Sequence, residues 1–251
     1  MSVPLVIAHR GDSAHRPENT LASFASALEL GATVIELDVQ LTADDQAVVI
    51  HDATLDRTTD AHGDVRGCTL AGLREVSAGY PSRFGDRYAG ERISTLAEVL
   101  AFLRDRARVL VEIKTESVSA DAEGGIEART AAEIRRAGMV GAAAVISFDQ
   151  RAIVRMRSIA PEITRGRVYG HTSADEVLAT AAEAGCEIVM PHKSQIQEPL
   201  VTRAREAGLK LATWVVDEPE ELRALARFGL YGVGSNRPGV LLEALADGLL
   251  G

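Results

Sequence analysis

Short β-rich runs alternate with helical stretches along nearly the whole of this 251-residue chain, and that alternation constrains the fold more than any other feature. Val3 to Ala8 reads as a first strand. The helical stretch Asn19 to Leu30 follows it and stops at Gly31, a residue that adopts the left-handed conformation closing a helix. Thr33 to Val39 is the second strand. Arg108 to Ile113, Ala142 to Ile146, Thr164 to Tyr169, Glu187 to Met190, Lys210 to Val216 and Tyr231 to Gly234 continue the series, each followed by a helical stretch. Steady alternation of this kind implies a parallel sheet, because each helix must carry the chain back to start the next strand. Eight such units in about 250 residues match the repeat number and size of a closed (β/α)8 barrel. The competing open, doubly wound sheet lacks support, since no glycine-rich dinucleotide turn follows the first strand.

One region breaks the rhythm. Ala47 to Ile50 is a short β run ending in His51-Asp52, and from Ala53 to about Arg92 glycines and polar residues replace any clear period. The expectation is one barrel domain over residues 1–251, carrying after its second strand a long loop or small insertion with little regular structure. Long loops in compact domains are usually functional, so this one should overhang a site.

Active residues of such a barrel sit at the C-terminal ends of its strands, and several candidates stand there. His9-Arg10-Gly11 ends the first strand, a suitable place to handle a phosphate. In Val34-Ile35-Glu36-Leu37-Asp38 two carboxylates stand two residues apart, and the strand period turns both to one face. Two inward carboxylates so close repel each other unless a cation lies between them. Glu112 and Lys114 repeat the pattern on the third major strand, so three carboxylates from two strands form an all-oxygen set suited to one divalent cation, Mg²⁺ or Ca²⁺, rather than zinc. The bland reading makes these acids solvated strand-end residues or partners of nearby arginines, which three matched strand ends argue against. His51 adds a second imidazole, and two imidazoles, a metal and a lysine suit phosphoryl transfer.

Charge narrows the partners. Lys and Arg number 27 against 36 Asp and Glu, a formal net charge of -9. Nucleic acid is therefore not expected, because backbone binding requires a basic footprint. An anionic substrate must find its positive charge locally. Cys68 and Cys186 form no CxxC pattern, and no apolar run approaches the ~20 residues of a membrane span. A cytoplasmic protein without stable membrane insertion, monomer or homodimer, is expected.

Taken together, His9-Arg10-Gly11, Pro17-Glu18-Asn19-Thr20, Glu36-Leu37-Asp38, His51-Asp52 with Leu55-Asp56-Arg57-Thr58-Thr59, and Val111-Glu112-Ile113-Lys114 resemble the glycerophosphodiester phosphodiesterases. Thr213-Trp214-Val215-Val216-Asp217 and Ser235-Asn236-Arg237-Pro238 are similar to that family's last two strand ends, and the resemblance runs from residue 3 to about 240. It implies a (β/α)8 barrel in which Glu36, Asp38 and Glu112 bind a divalent metal, His9 and His51 act as general acid and base, and Arg10 and Lys114 hold the phosphate. It also implies a small-molecule glycerophosphodiester substrate, attacked by its own glycerol hydroxyl to give a cyclic phosphate that water opens. The division of acid and base between the histidines is left open. A relative acting on lysophospholipids or sphingomyelin, or a non-catalytic binding protein on the same barrel, are the alternatives.

The remaining candidates stand beside this set. Trp214 is read as an apolar wall for glycerol or as core, Glu18 as a contact for the glycerol hydroxyls or, in preference, a helix cap, and Asp149 as a substrate contact or an N-cap. Ser147-Phe148, His192 and Lys193 stand where they can approach a ligand; His15, His62 and His171 are read as surface histidines.

Overall fold

The computed structural model describes residues 3–120, 124–170 and 172–250; His171 lies outside them. Among the described residues nine strands form one sheet: β1 (Leu5–His9), β2 (Val34–Leu41), β3 (Ala47–Val49), β4 (Arg108–Ile113), β5 (Ala143–Ser147), β6 (Thr164–Tyr169), β7 (Ile188–Pro191), β8 (Lys210–Thr213) and β9 (Gly232–Ser235). All except β3 run parallel. Pairing of β1 with both β2 and β9 closes the ring, so the barrel expected from the alternation is the barrel observed.

Period-two alternation divides the strands cleanly. Ile7, Val34, Leu110, Ile146, Val168 and Met190 point inward and pack into one apolar floor. Ile35, Leu37, Val39, Val109 and Val111 point outward and are buried under the helices. Because both faces of a parallel sheet are covered, β2 is buried at every position. The interior is crowded. A Cβ added at Gly232 would lie 3.0 Å from Ile7 Cδ1, so glycine on β9 leaves the space that the isoleucine of β1 fills.

Local capping explains where the flanking helices begin. Thr20, extended, accepts from the Ser23 amide to start α1 (Leu21–Glu29), and Asp149 accepts from the Arg151 amide to start the helix Gln150–Ile159. The expected N-cap role of Asp149 is therefore observed, whereas the cap of α1 is Thr20 and not Glu18. Strand ends also shift. Val3 is exposed and precedes β1, and β8 stops at Thr213, leaving Trp214 to Val216 beyond its end.

The region 53–92 is more ordered than its composition suggests. It holds short helical pieces at Val65–Gly67, Leu70–Leu73, Pro81–Phe84 and Gly85–Tyr88, and Leu55, Val65, Leu73 and Ala78 join Val48, Ile50 and Ile93 in a small core of their own. Helices of three or four residues are too short to show a period of 3.6, which is why the pattern was invisible in sequence. The insertion leaves the barrel through a hairpin, since β3 pairs antiparallel with β2, Val49 opposite Val39.

Candidate active site

Strand register gathers the site. His9 on β1 lies opposite Glu36 on β2, and Asp38 on β2 lies opposite Glu112 on β4. Partners in a parallel pair share a face, so one inward layer at the C-terminal rim receives all four side chains. His51 arrives differently. The β2–β3 hairpin folds back until the Ile50 amide donates to the Asp38 carbonyl at 3.1 Å, and Gln40 Nε2 then donates to the His51 carbonyl at 3.1 Å. His51 therefore reaches the rim from above on an antiparallel segment, not from the end of a barrel strand.

The turn after His9 is tightly built. Gly11 has φ 83°, and a Cβ there would fall 2.4 Å from Ser23 Oγ, so this turn admits only glycine. Arg10, itself at φ 58°, is thereby swung over the rim. Its amide donates to Glu36 Oε2 at 3.0 Å, its Nη1 donates to Glu18 Oε1 at 2.9 Å, and its Nε lies 3.1 Å from Asp38 Oδ2.

The carboxylates of Glu36, Asp38 and Glu112 are buried, and one ligand atom from each lies within 4.8 Å of the others. Glu36 Oε1 and Asp38 Oδ1 are buried without a hydrogen-bond partner. Buried oxygens left in that state are costly, and a hard divalent cation is the partner this donor set fits. Lys114 Nζ is 2.7 Å from Glu112 Oε1 and 3.4 Å from Asp38 Oδ1. Burial and the neighbouring charge of Asp38 push Glu36 up to about 8 and Glu112 up to about 7. Although burial opposes it, Arg10 and Lys114 hold Asp38 below the usual carboxylate range. Asn19 grips the same carboxylate: its Nδ2 donates to Asp38 Oδ2 at 2.8 Å and its Oδ1 accepts from the Asp38 amide at 3.2 Å.

Each imidazole is held by its Nδ1. His9 Nδ1 is 2.7 Å from Asn236 Oδ1, and Asn236 Nδ2 donates to Asp217 Oδ2 at 3.0 Å, so Oδ1 is the acceptor and the histidine the donor. His51 Nδ1 is 2.6 Å from Asp52 Oδ1, a carboxylate that only accepts. In the neutral state both rings therefore carry the proton on Nδ1 and present Nε2 as a lone pair. Burial first, and Arg10 second, lower the pKa of His9; burial and the Arg10 and Lys114 charges lower that of His51, against the pull of Asp38.

His9, Arg10, Glu36, His51, Glu112 and Lys114 line a cavity of about 340 Å³ whose other walls are apolar: Ile146, Val168 and Met190 of the inward floor, with Phe148 and Trp214 packed against it. Trp214 is half-buried and packs edge-on against Phe148 and His192, with ring centroids 5.4 and 5.2 Å away. It is a cavity wall and not core. Its Nε1 donates to the Met190 carbonyl at 3.0 Å, which fixes the indole plane. Phe148 shares that wall, whereas Lys193 is turned aside onto Glu221. Glu18, expected as a cap, instead bridges Arg10 and Arg57. His15 and His62 are exposed, each beside an aspartate.

Sequence reasoning on the residues missed Asn236, Asp217, Asn19 and Arg57. Asn236 was within reach: counting in twos from Gly232 along β9 turns it inward beyond Gly234. The others act across loops, where no period applies.

Comparison with known proteins agrees with this geometry. Residues 9–240 match the sequence model of the Glycerophosphoryl diester phosphodiesterase family. The chain is 36% identical to the glycerophosphodiester phosphodiesterase of Caldanaerobacter subterraneus over 97% of its own length and 98% of the relative's. A crystal structure of a putative glycerophosphoryl diester phosphodiesterase from Silicibacter pomeroyi superposes with a TM-score of 0.87 at 30% identity, covering 99% of this chain and 95% of that one. An Oleispira antarctica phosphodiesterase in complex with the product sn-glycerol-3-phosphate superposes with a TM-score of 0.84 at 30% identity, covering 97% of each chain. With the family model matching residues 9–240 and the similarity running the full length of the chain, the chain belongs to the glycerophosphodiester phosphodiesterase family.

Proposed function

We propose that this chain hydrolyses glycerophosphodiesters such as glycerophosphocholine or glycerophosphoethanolamine to sn-glycerol 3-phosphate and an alcohol. The observation that carries the reading is the pair of imidazoles, both held by Nδ1 with Nε2 left free, lining a cavity together with Arg10, Lys114, Glu36 and Glu112, with the carboxylate of Asp38 buried beside those two. The sn-glycerol-3-phosphate bound to the Oleispira relative supports the product.

Arg10 and Lys114 hold the phosphate, and the apolar wall with Trp214 receives the glycerol carbons. One histidine, neutral, takes the proton from the attacking glycerol hydroxyl at Nε2, while the other, entering the step as the imidazolium with Nε2 also protonated, gives that Nε2 proton to the departing alcohol. Opening of the cyclic phosphate by water is the same exchange reversed, so the two rings trade roles between steps. A divalent cation, Mg²⁺ or Ca²⁺, held by Glu36, Asp38 and Glu112 would stabilise charge on the phosphoryl oxygens and lower the pKa of the attacking hydroxyl. The cavity volume lies at the small end of ligand sites, which favours a glycerophosphodiester over an acyl-bearing lysophospholipid.

The test is release of glycerol 3-phosphate from glycerophosphocholine and its ethanolamine and glycerol counterparts, before and after chelation. His9→Ala and His51→Ala should each abolish turnover while melting like the wild type. Turnover by either variant at the wild-type rate, or by a metal-free preparation, refutes the corresponding part of the scheme.

A further inference from the structure

The insertion contributes one side chain whose contacts reach both halves of the rim. Arg57 Nε donates to Asp52 Oδ2 at 2.6 Å and its Nη2 to Asp52 Oδ1 at 3.0 Å, a two-point grip on the carboxylate that holds His51 Nδ1. The same guanidinium donates to Glu18 through Nη1 and Nη2, both at 2.8 Å, and Glu18 in turn holds Arg10. Its position is set by the insertion's own packing. Leu55 is buried in the small core, Thr59 Oγ1 donates to the Leu55 carbonyl at 2.6 Å, and the ring of Tyr80 lies 5.6 Å from the guanidinium carbon.

Without Arg57, Asp52 would be a half-exposed carboxylate with several staggered rotamers, and His51 would turn with it. The planar fork removes that freedom because its paired donors fit one carboxylate orientation. We propose that Arg57 is a positioning residue: by gripping Asp52 while anchored on Glu18, it fixes the ring orientation of His51 and makes the 53–92 insertion an essential part of the catalytic centre. This rests on the reading of His51 as a proton carrier.

The experiment is steady-state hydrolysis of glycerophosphocholine by the full-length chain, with His51→Ala as reference. Arg57→Ala should lower kcat about 10- to 100-fold, the usual cost of losing an orienting partner, with a much smaller change in KM. Arg57→Lys keeps the charge beside Glu18 and guards against a variant that merely fails to fold. It should melt near the wild-type temperature yet be almost as slow as Arg57→Ala, because an ammonium offers no fork. In an Asp52→Ala background, adding Arg57→Ala should cost little more, since both changes release the same ring. Near-normal kcat for Arg57→Lys, or a full further loss in the double variant, overturns the inference. Normal turnover by His51→Ala overturns the reading of His51 and this inference with it, so the two failures are told apart.

Discussion

Cation binding to this site should be strongly linked to pH, and the linkage can be worked from the burial of its carboxylates. Glu36 is pushed up to about 8 and Glu112 up to about 7 in the cation-free chain, chiefly by burial and then by the charge of Asp38. A divalent cation needs both ionised. At pH 6 the pair is held mainly protonated, so a cation binds only by displacing protons from it, and its affinity should fall by at least about tenfold between pH 8 and pH 6. Titration calorimetry with Mg²⁺ in two buffers of unlike ionisation enthalpy counts the protons released. The count should approach two near pH 6 and fall towards none above pH 8, and Glu36→Gln should remove about one of them at the acid end. Equal affinity at pH 6 and pH 8 with no proton release would refute the reasoning, because both carboxylates would then already be ionised in the empty site.

The same groups set the stability of the metal-free chain. Their folded pKa values lie above the unfolded ones, so their contribution is fully present below about pH 4.5 and is lost as pH rises through 7 and 8; Asp38, shifted the other way, acts only at the acid end. Chelated protein should therefore show a falling melting temperature between pH 5 and 8, and added cation should reverse it. Gly11→Ala should destabilise by about 1–3 kcal/mol in denaturant titration, because φ 83° and the Ser23 contact both oppose a Cβ. Asn236→Ala should slow turnover about 10- to 100-fold by freeing His9 to rotate, while Asp149→Ala, which removes a helix cap and an exposed ion pair with Arg151, should cost about 1 kcal/mol of stability.

The insertion and Glu18 show where reading the chain reached its limit. Strands such as β2 and β4 were legible because burial on both faces makes them nearly continuous apolar runs, and the inward carboxylates interrupting those runs at Glu36, Asp38 and Glu112 stood out against them. The small core of Leu55, Val65, Leu73 and Ala78 was not, because its helices are shorter than the period that would betray them. Glu18 precedes a helix and so resembled a cap, but Thr20 occupies that position and the carboxylate was drawn to two arginines, one 39 residues away.

By itself, then, the sequence determined the number of βα units, the face on which each strand-end residue lies, and hence the set His9, Glu36, Asp38, Glu112 and Lys114. Those facts follow from local period and solvent exclusion, which neighbours along the chain share. Only the tertiary structure decided that β3 returns antiparallel to bring His51 over Asp38, that Asn236 and Asp52 set the protonation of the two rings, and that Arg57 joins Asp52 to Glu18. The return of β3 and the reach of Arg57 to Glu18 depend on loop geometry that no spacing along the chain encodes; Asp52 adjoins His51 and the period of β9 turns Asn236 inward, but which atoms meet the two rings is decided by barrel closure and the local turn.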